Sequence, residues 1–296
     1  MRSVPLLVFK AAVLGTVSVA LAGCGGTGST PANTSMAAPA PATASNSAPA
    51  GSTGSSAAPG SSSTVPPPPS SSSGAGPNPS PSPAPTPSGT TIGGIEQMSG
   101  WQSCDTCSGG GTIAYSMTPG LSYPQPGTTQ FSLAQGAPWA HALWWKRLGN
   151  DPSPSHFVLT LDQYMENPGA SFGIEYEANQ LVDGEWYDFA TQCSFGYGIW
   201  QLWDPANQKW VPTSVPCVRP APSTHTQVRL EFQRSNGHVL FVSIGTNGNV
   251  VPVNMAFNPQ PLNGLSGDFG VHIQLNANAN PDPYSVWVHD LTLNYW

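Results

Sequence analysis

The stretch FGIEYEANQ, Phe172 to Gln180, sets two carboxylates two residues apart and follows them with two amides. In an extended chain, residues two apart point the same way. Glu175 and Glu177 would then share a face with Gly173 and Asn179, while Phe172, Ile174, Tyr176 and Ala178 would turn to a core. Two carboxyl groups on one face have three uses. They can divide the nucleophile and acid/base roles at a glycosidic bond, which in a retaining mechanism needs about 5–5.5 Å between them. They can accept hydrogen bonds from hydroxyls of a bound ligand, or they can keep an outer face hydrated. Glu175 and Glu177 are therefore the candidate catalytic residues, and with Asn179 and Gln180 they are candidate ligand contacts.

Large rings are the second resource. They gather as Trp139/Trp144/Trp145, Trp186/Tyr187 and Tyr197/Trp200/Trp203/Trp210. On the run GIWQLWD, Trp200 and Trp203 fall on opposite faces, so at most one of them joins a core. Trp186 and Trp200 are the rings expected to stand exposed as stacking platforms. Six histidines are scattered, and the sequence has no H-E-x-x-H, no G-x-S-x-G elbow, no phosphate loop and no dinucleotide fingerprint. No metal ligand set is read and no cofactor is implied. The oxygen-rich loop NANANPDPYS (276–285) could cradle calcium, but it holds one acid, Asp282.

Strands must position these groups. From His156 onward, short runs of period two alternate with turn residues. The runs are 157–165, 171–179, 185–193, 197–204, 226–234, 238–246, 249–257, 269–277 and 284–296, with TTQFSLAQ and AHALWWKRL before them. Asp183-Gly184, Asn236-Gly237 and Asn247-Gly248 sit where hairpin turns are needed. No helical stripe exceeds about two turns, so the fold expected is all-β, a two-sheet antiparallel sandwich.

Only 8% of the 296 residues are charged, against roughly 25% in an ordinary soluble domain. The segment from Cys24 to Thr90 has no charged residue and is mostly Ser, Pro, Ala, Gly and Thr. Such a segment has too few large apolar side chains to offset chain entropy, and a disordered linker is expected. Of the 8 basic residues, Arg2 and Lys10 lie at the N-terminus, which leaves six against 15 acidic ones in the remaining head, a formal charge of −9. That sign repels phosphate backbones, so nucleic acid is excluded as a partner. A monomer is expected. Beyond Cys24, four cysteines remain, and Cys104–Cys107 and Cys193–Cys217 is the favoured of three connectivities.

The first residues, MRSVPLLVFKAAVLGTVSVALAGC, carry a basic start, an apolar run and a small-residue ending, the pattern of an export signal. Leu21-Ala22-Gly23-Cys24 resembles the lipobox of bacterial lipoproteins. The resemblance implies cleavage before Cys24, acylation there (palmitate included), and a head held to the bacterial cell envelope through the membrane. The expected domains are thus a signal peptide (1–23), a lipid-anchored linker (24–90) and a β-sandwich head (91–296). The IEYEANQ strand and the closing YSVWVHDLTLNYW make the head look like the concanavalin A-like lectin/glucanase jelly roll. It also resembles secreted bacterial proteins with a GWQSCDTC start, an ALWWK strand and this ending. That likeness implies a polysaccharide ligand. In the glucanases of that fold an E-x-D-x-x-E strand supplies nucleophile, helper and acid/base. Laid on it, Glu175 matches the nucleophile, Glu177 replaces the helper and Gln180 stands where the proton donor belongs. Loss of a general acid costs about 10²–10⁴ in rate, so carbohydrate recognition without turnover is the leading expectation. A hydrolase or lyase using Glu175/Glu177, with Glu185 or Asp188 as a substitute acid, is the alternative, and an adhesive module without a small-ligand site is the third reading.

Overall fold

The computed structural model describes residues 89–296, leaving out Thr106, 108–110 and 263–267. The expected signal peptide, Cys24 and all of the linker except Gly89 and Thr90 lie outside the described residues. Strands are numbered β1 to β16 in chain order. The first sheet runs β13 (Asn249–Phe257), β12 (His238–Thr246), β11 (Thr224–Ser235), β6 (His156–Met165), β16 (Tyr284–Tyr295), β4 (Thr128–Gly136) and β3 (Ile113–Leu121), with β1 (Thr90–Ile92) added beside β16. The second runs β10 (Lys209–Pro216), β9 (Ile199–Asp204), β8 (Glu185–Ser194), β7 (Ser171–Val182), β15 (Asp268–Ala277), β5 (His141–Asn150) and β2 (Gln102–Cys104), with β14 (Gln260–Pro261) beside β8. Neighbouring strands are antiparallel throughout. Among the described residues the helices are two single 3₁₀ turns, Ile95–Gln97 and Pro168–Ala170. The head is the expected two-sheet jelly-roll sandwich.

Alternation explains the layers. In β6, Phe157, Leu159 and Leu161 turn inward, and in β8 Tyr187, Phe189 and Cys193 do the same. Phe189 stacks on Phe232 of the opposite sheet at 5.4 Å and meets Phe157 at 5.7 Å. Tyr176 of β7 donates its hydroxyl to Gln163 of β6, a buried bridge between the sheets. The hairpins at Asp183-Gly184, Asn236-Gly237 and Asn247-Gly248 each place two residues at positive φ, 51° and 80° at the first, which suits the right-handed twist of the paired strands. Cys104–Cys107 and Cys193–Cys217 are both disulfide-bonded. The second is buried and ties the end of edge strand β10 beneath the second sheet.

Five strands fall outside the expected runs: the short β1, β2 and β14, and the longer β3 and β10. The two longer ones show why. Each carries proline (Pro119; Pro212 and Pro216), and each is an edge strand. A residue without an N–H is tolerated where one side of the ladder is empty. Pro252 of β13 obeys the same rule at the other edge of the first sheet.

Candidate functional site

Strand β7 lies in the middle of the second sheet, between β8 and β15. Pairing sets Glu175 opposite Gln192 on one side and Gln274 on the other, and Gln192 in turn faces Gln201 of β9. A row of three amides and one carboxylate thus crosses four strands on the outer face. Glu175 Oε1 accepts from Gln192 Nε2 at 3.0 Å, Gln274 Nε2 at 2.5 Å and Asn276 Nδ2 at 2.9 Å. One oxygen held by three donors cannot swing, so the carboxylate is a fixed feature of the floor.

Above that floor is a cleft of about 490 Å³ walled by Trp139, Phe172, Tyr197, Trp203 and Trp210, with His141 and Gln208 at its margins. Trp203 and Trp210 face each other across β9 and β10 with ring centroids 5.3 Å apart. On the other side Phe172 stands edge-on between Trp139 (5.3 Å) and Tyr197 (5.4 Å). Trp139 is 54% exposed and Tyr197 67%. The Trp139 backbone has φ 62°, the left-handed region that costs an L-residue about 1–2 kcal/mol. A bulky ring held in that conformation at a cleft margin is the kind of strain that collects at functional sites.

Phe172 corrects the alternation argument, which placed it in the core. The β7–β15 register slips between Asn276 and Ala277, where Gly173 pairs with Asn276 and Ser171 with Ala277. Phe172 is the extra residue of that bulge and turns outward with Gly173. Its ring then lies against Gly196, where a Cβ would come within 2.1 Å of it.

Glu177 has another fate. It shares the face of Glu175, but it is 0% exposed, and its Oε2 lies 2.8 Å from Nδ1 of His272 on β15. His272 Nε2 meets Asn179 Nδ2 at 2.6 Å. Glu177, His272 and Asn179 form a closed chain away from the cleft, so Glu177 and Asn179 do not line it. Gln180 points to the opposite face, where it donates to the Asp151 carbonyl at 3.0 Å. The proposed substitute acids are also misplaced, since Asp188 pairs with Asn179 and Glu185 with Val182.

Both tryptophans expected to be exposed are buried. Trp200 is a core ring at 1% exposure, and its alternation partner Trp203 is the one that faces out. Trp186 is on the outer face but only 2% exposed, with Gln260 of β14 paired beside it. Of the six expected ligand contacts, only Glu175 lines the cleft. In the 276–285 loop, Asn276 Oδ1 accepts from Gln274 and Asn278 Oδ1 from the Asn280 amide, while Asp282, its one acid, is exposed. Beneath the site, desolvation pushes the Tyr176 hydroxyl above the ordinary tyrosine range. It does the same to Tyr284, partly offset by hydrogen bonding with Ser171 and the Asn276 backbone.

No protein-family model matches the chain, and no curated protein matches its sequence. Among solved structures the head is similar to arcelin-5, a lectin-like defence protein from Phaseolus vulgaris, with 9% identity and a TM-score of 0.45 over 70% of this chain and 98% of that one. It is similar to an alginate lyase, Aly36B, with 11% identity and a TM-score of 0.40 over 56% of this chain and 80% of that one. A carbohydrate esterase from the Shiga toxin-encoding bacteriophage phi24B gives 12% and 0.41 over 70% of this chain and 99% of that one. A fold does not fix an activity, so function has to be argued from the site.

Proposed function

We propose that the head binds an uncharged glycan in the outer-face cleft of the second sheet, without turning it over. The observation that carries this reading is the fixed Glu175 carboxylate in an amide floor, flanked by exposed aromatic rings. Sugars need both parts. Rings pack against the apolar C–H faces of pyranoses, and side-chain amides and a carboxylate exchange hydrogen bonds with hydroxyls. No Lys or Arg lines the cleft among the described residues, so a uronate or sulfated chain would bring its charge to a carboxylate with no cation to answer it. Catalysis by two carboxylates is disfavoured because Glu175 is the only acid lining the cleft among the described residues, and Glu177 is closed off against His272.

The chain is proposed to be exported, acylated at Cys24 and held to the cell envelope by the linker, on the strength of the sequence pattern at its N-terminus. β1 pairs Thr90 with Tyr295, whereas Tyr284 at the other end of β16 bonds the Asn276 carbonyl behind the cleft. Eleven residues of strand separate the two, roughly 35 Å. A tether joined at Gly89 would therefore leave the cleft at the far end of the head.

The test is titration of the full chain with neutral hexaoses (gluco-, xylo- and manno-series), alongside assays for released reducing ends and unsaturated products. Saturable binding whose cleft component is lost in Tyr197→Ala, with no product, is the expected result. Product release abolished by Glu175→Gln would replace this reading with the enzymatic one.

A further inference from the structure

We infer that the head carries a second saccharide site, on the outer face of the first sheet and back to back with the cleft. A trough of about 560 Å³ lies there over β3, β4 and β16. Its floor is polar. Ser285, Ser132 and Ser116 lie opposite one another on adjacent strands, and Gln130 stands in the next row beside Trp287. Gln130 Nε2 donates to Ser285 Oγ at 2.9 Å, and the hydroxyls of Ser132 and Ser285 are 2.7 Å apart.

The end wall is built rather than incidental. After β3 the chain folds over the sheet so that Tyr123 meets Trp287 and Tyr164 edge-on, both at 5.8 Å. The Tyr123 hydroxyl donates to Glu166 Oε1 at 2.6 Å and also meets the Tyr164 hydroxyl at 2.8 Å. Trp287 is thereby braced where it lines the trough. An outer sheet face normally meets bulk water with long polar side chains. Here short hydroxyls leave a hollow against a fixed indole.

Chemistry selects the ligand. Glu166 is the one charged side chain lining the trough among the described residues, so an anion finds no cation. An apolar ligand would strip water from Ser132, Ser285 and Gln130 and give nothing back, which costs about 1–3 kcal/mol per group left unmet. A neutral polyol can replace those water contacts and pack its C–H groups against Trp287. Trough and cleft share no lining residue, so each can fail alone. Tyr284 spans the layer between them, lining the trough while its hydroxyl bonds the Asn276 carbonyl behind the cleft. A head with both sites could hold two segments of one glycan at once, and the second capture would then be intramolecular.

Calorimetric titration of the full chain with the same neutral hexaoses decides it. The wild type is expected to take up two equivalents, and Trp139→Ala/Tyr197→Ala to keep one. Adding Ser132→Ile, which fills the trough with a strand-compatible side chain, should remove that remaining equivalent. Ser285→Ala, a milder change made in the same Trp139→Ala/Tyr197→Ala background, should weaken it about 5- to 10-fold with an unchanged near-UV spectrum. One equivalent in the wild type that Trp139→Ala/Tyr197→Ala abolishes would overturn the second site and leave the cleft. One equivalent that ignores the cleft variants but falls with Ser132→Ile would overturn the cleft and leave the trough. No uptake of any hexaose would overturn both.

Discussion

Two rows of the same sheet, one residue pair apart, end in opposite states. In the Glu175 row the cross-strand neighbours are Gln192 and Gln274, whose amides fix the carboxylate, itself only 2% exposed, in the floor of the cleft. In the Glu177 row they are Ala190 and His272. Ala190 offers no polar group, so Glu177 turns to His272 and the pair is sealed from solvent. Two carboxylates that look equivalent along the chain thus become a ligand-facing fixture and a structural tie. What surrounds a group across the sheet decides its role, and its own strand does not.

The largest expected effect tests the sealed row. His272→Ala removes one partner of a fully buried pair, and unfolding by denaturant should show a loss of about 3 kcal/mol or more, with glycan affinity per folded molecule little changed. A variant that unfolds no more readily than the wild type would show the two rows to be alike. Glu175→Gln is the counterpart. It keeps the shape, should alter stability by less than about 1 kcal/mol, and should weaken glycan binding at least about tenfold by calorimetry. If it destabilised the head as His272→Ala does while sparing affinity, the contrast would collapse.

A smaller effect of opposite sign concerns the cleft margin. Trp139→Gly frees the left-handed backbone and removes the ring. Stability is expected to hold or rise by up to about 1 kcal/mol while affinity falls. A clear loss of stability would mean that the ring is structural.

The smallest effect is in pH dependence. Burial raises the Tyr284 hydroxyl above its unfolded value near 10.0. A tyrosine that ionises less readily when folded contributes stability that is complete below that unfolded value and declines as pH rises above it. Tyr284→Phe should therefore flatten the alkaline limb of the stability curve above about pH 10 and leave the neutral region shifted by about 1 kcal/mol for the lost hydrogen bond. An unchanged alkaline limb would contradict the burial argument.

Most strands from β4 onward were legible because alternation and hairpin glycines reinforce one another, as in FVLTLDQYM and HVLFVSIGT flanking recognisable turns. The disulfide pairs were legible from spacing. The proline-bearing edges β3 and β10 were not, since an empty ladder side is a property of the sheet. Nor was most of the site. Phe172 left its expected face through a bulge, Trp186 was covered by a segment some 75 residues later in the chain, Trp139 lies in a connection where periodicity gives no direction, and Tyr197, expected to open the 197–204 strand, lies in the turn before it.

By itself the sequence determined a β-sandwich head of negative charge, an aromatic supply, and a strand with two same-facing acids, because side-chain direction in a strand follows from backbone geometry alone. Only the tertiary structure decided which acid faces a ligand, because that depends on register between strands far apart in the chain. The amides that hold Glu175 come from 17, 99 and 101 residues away, and no local pattern records which residues will be brought opposite one another.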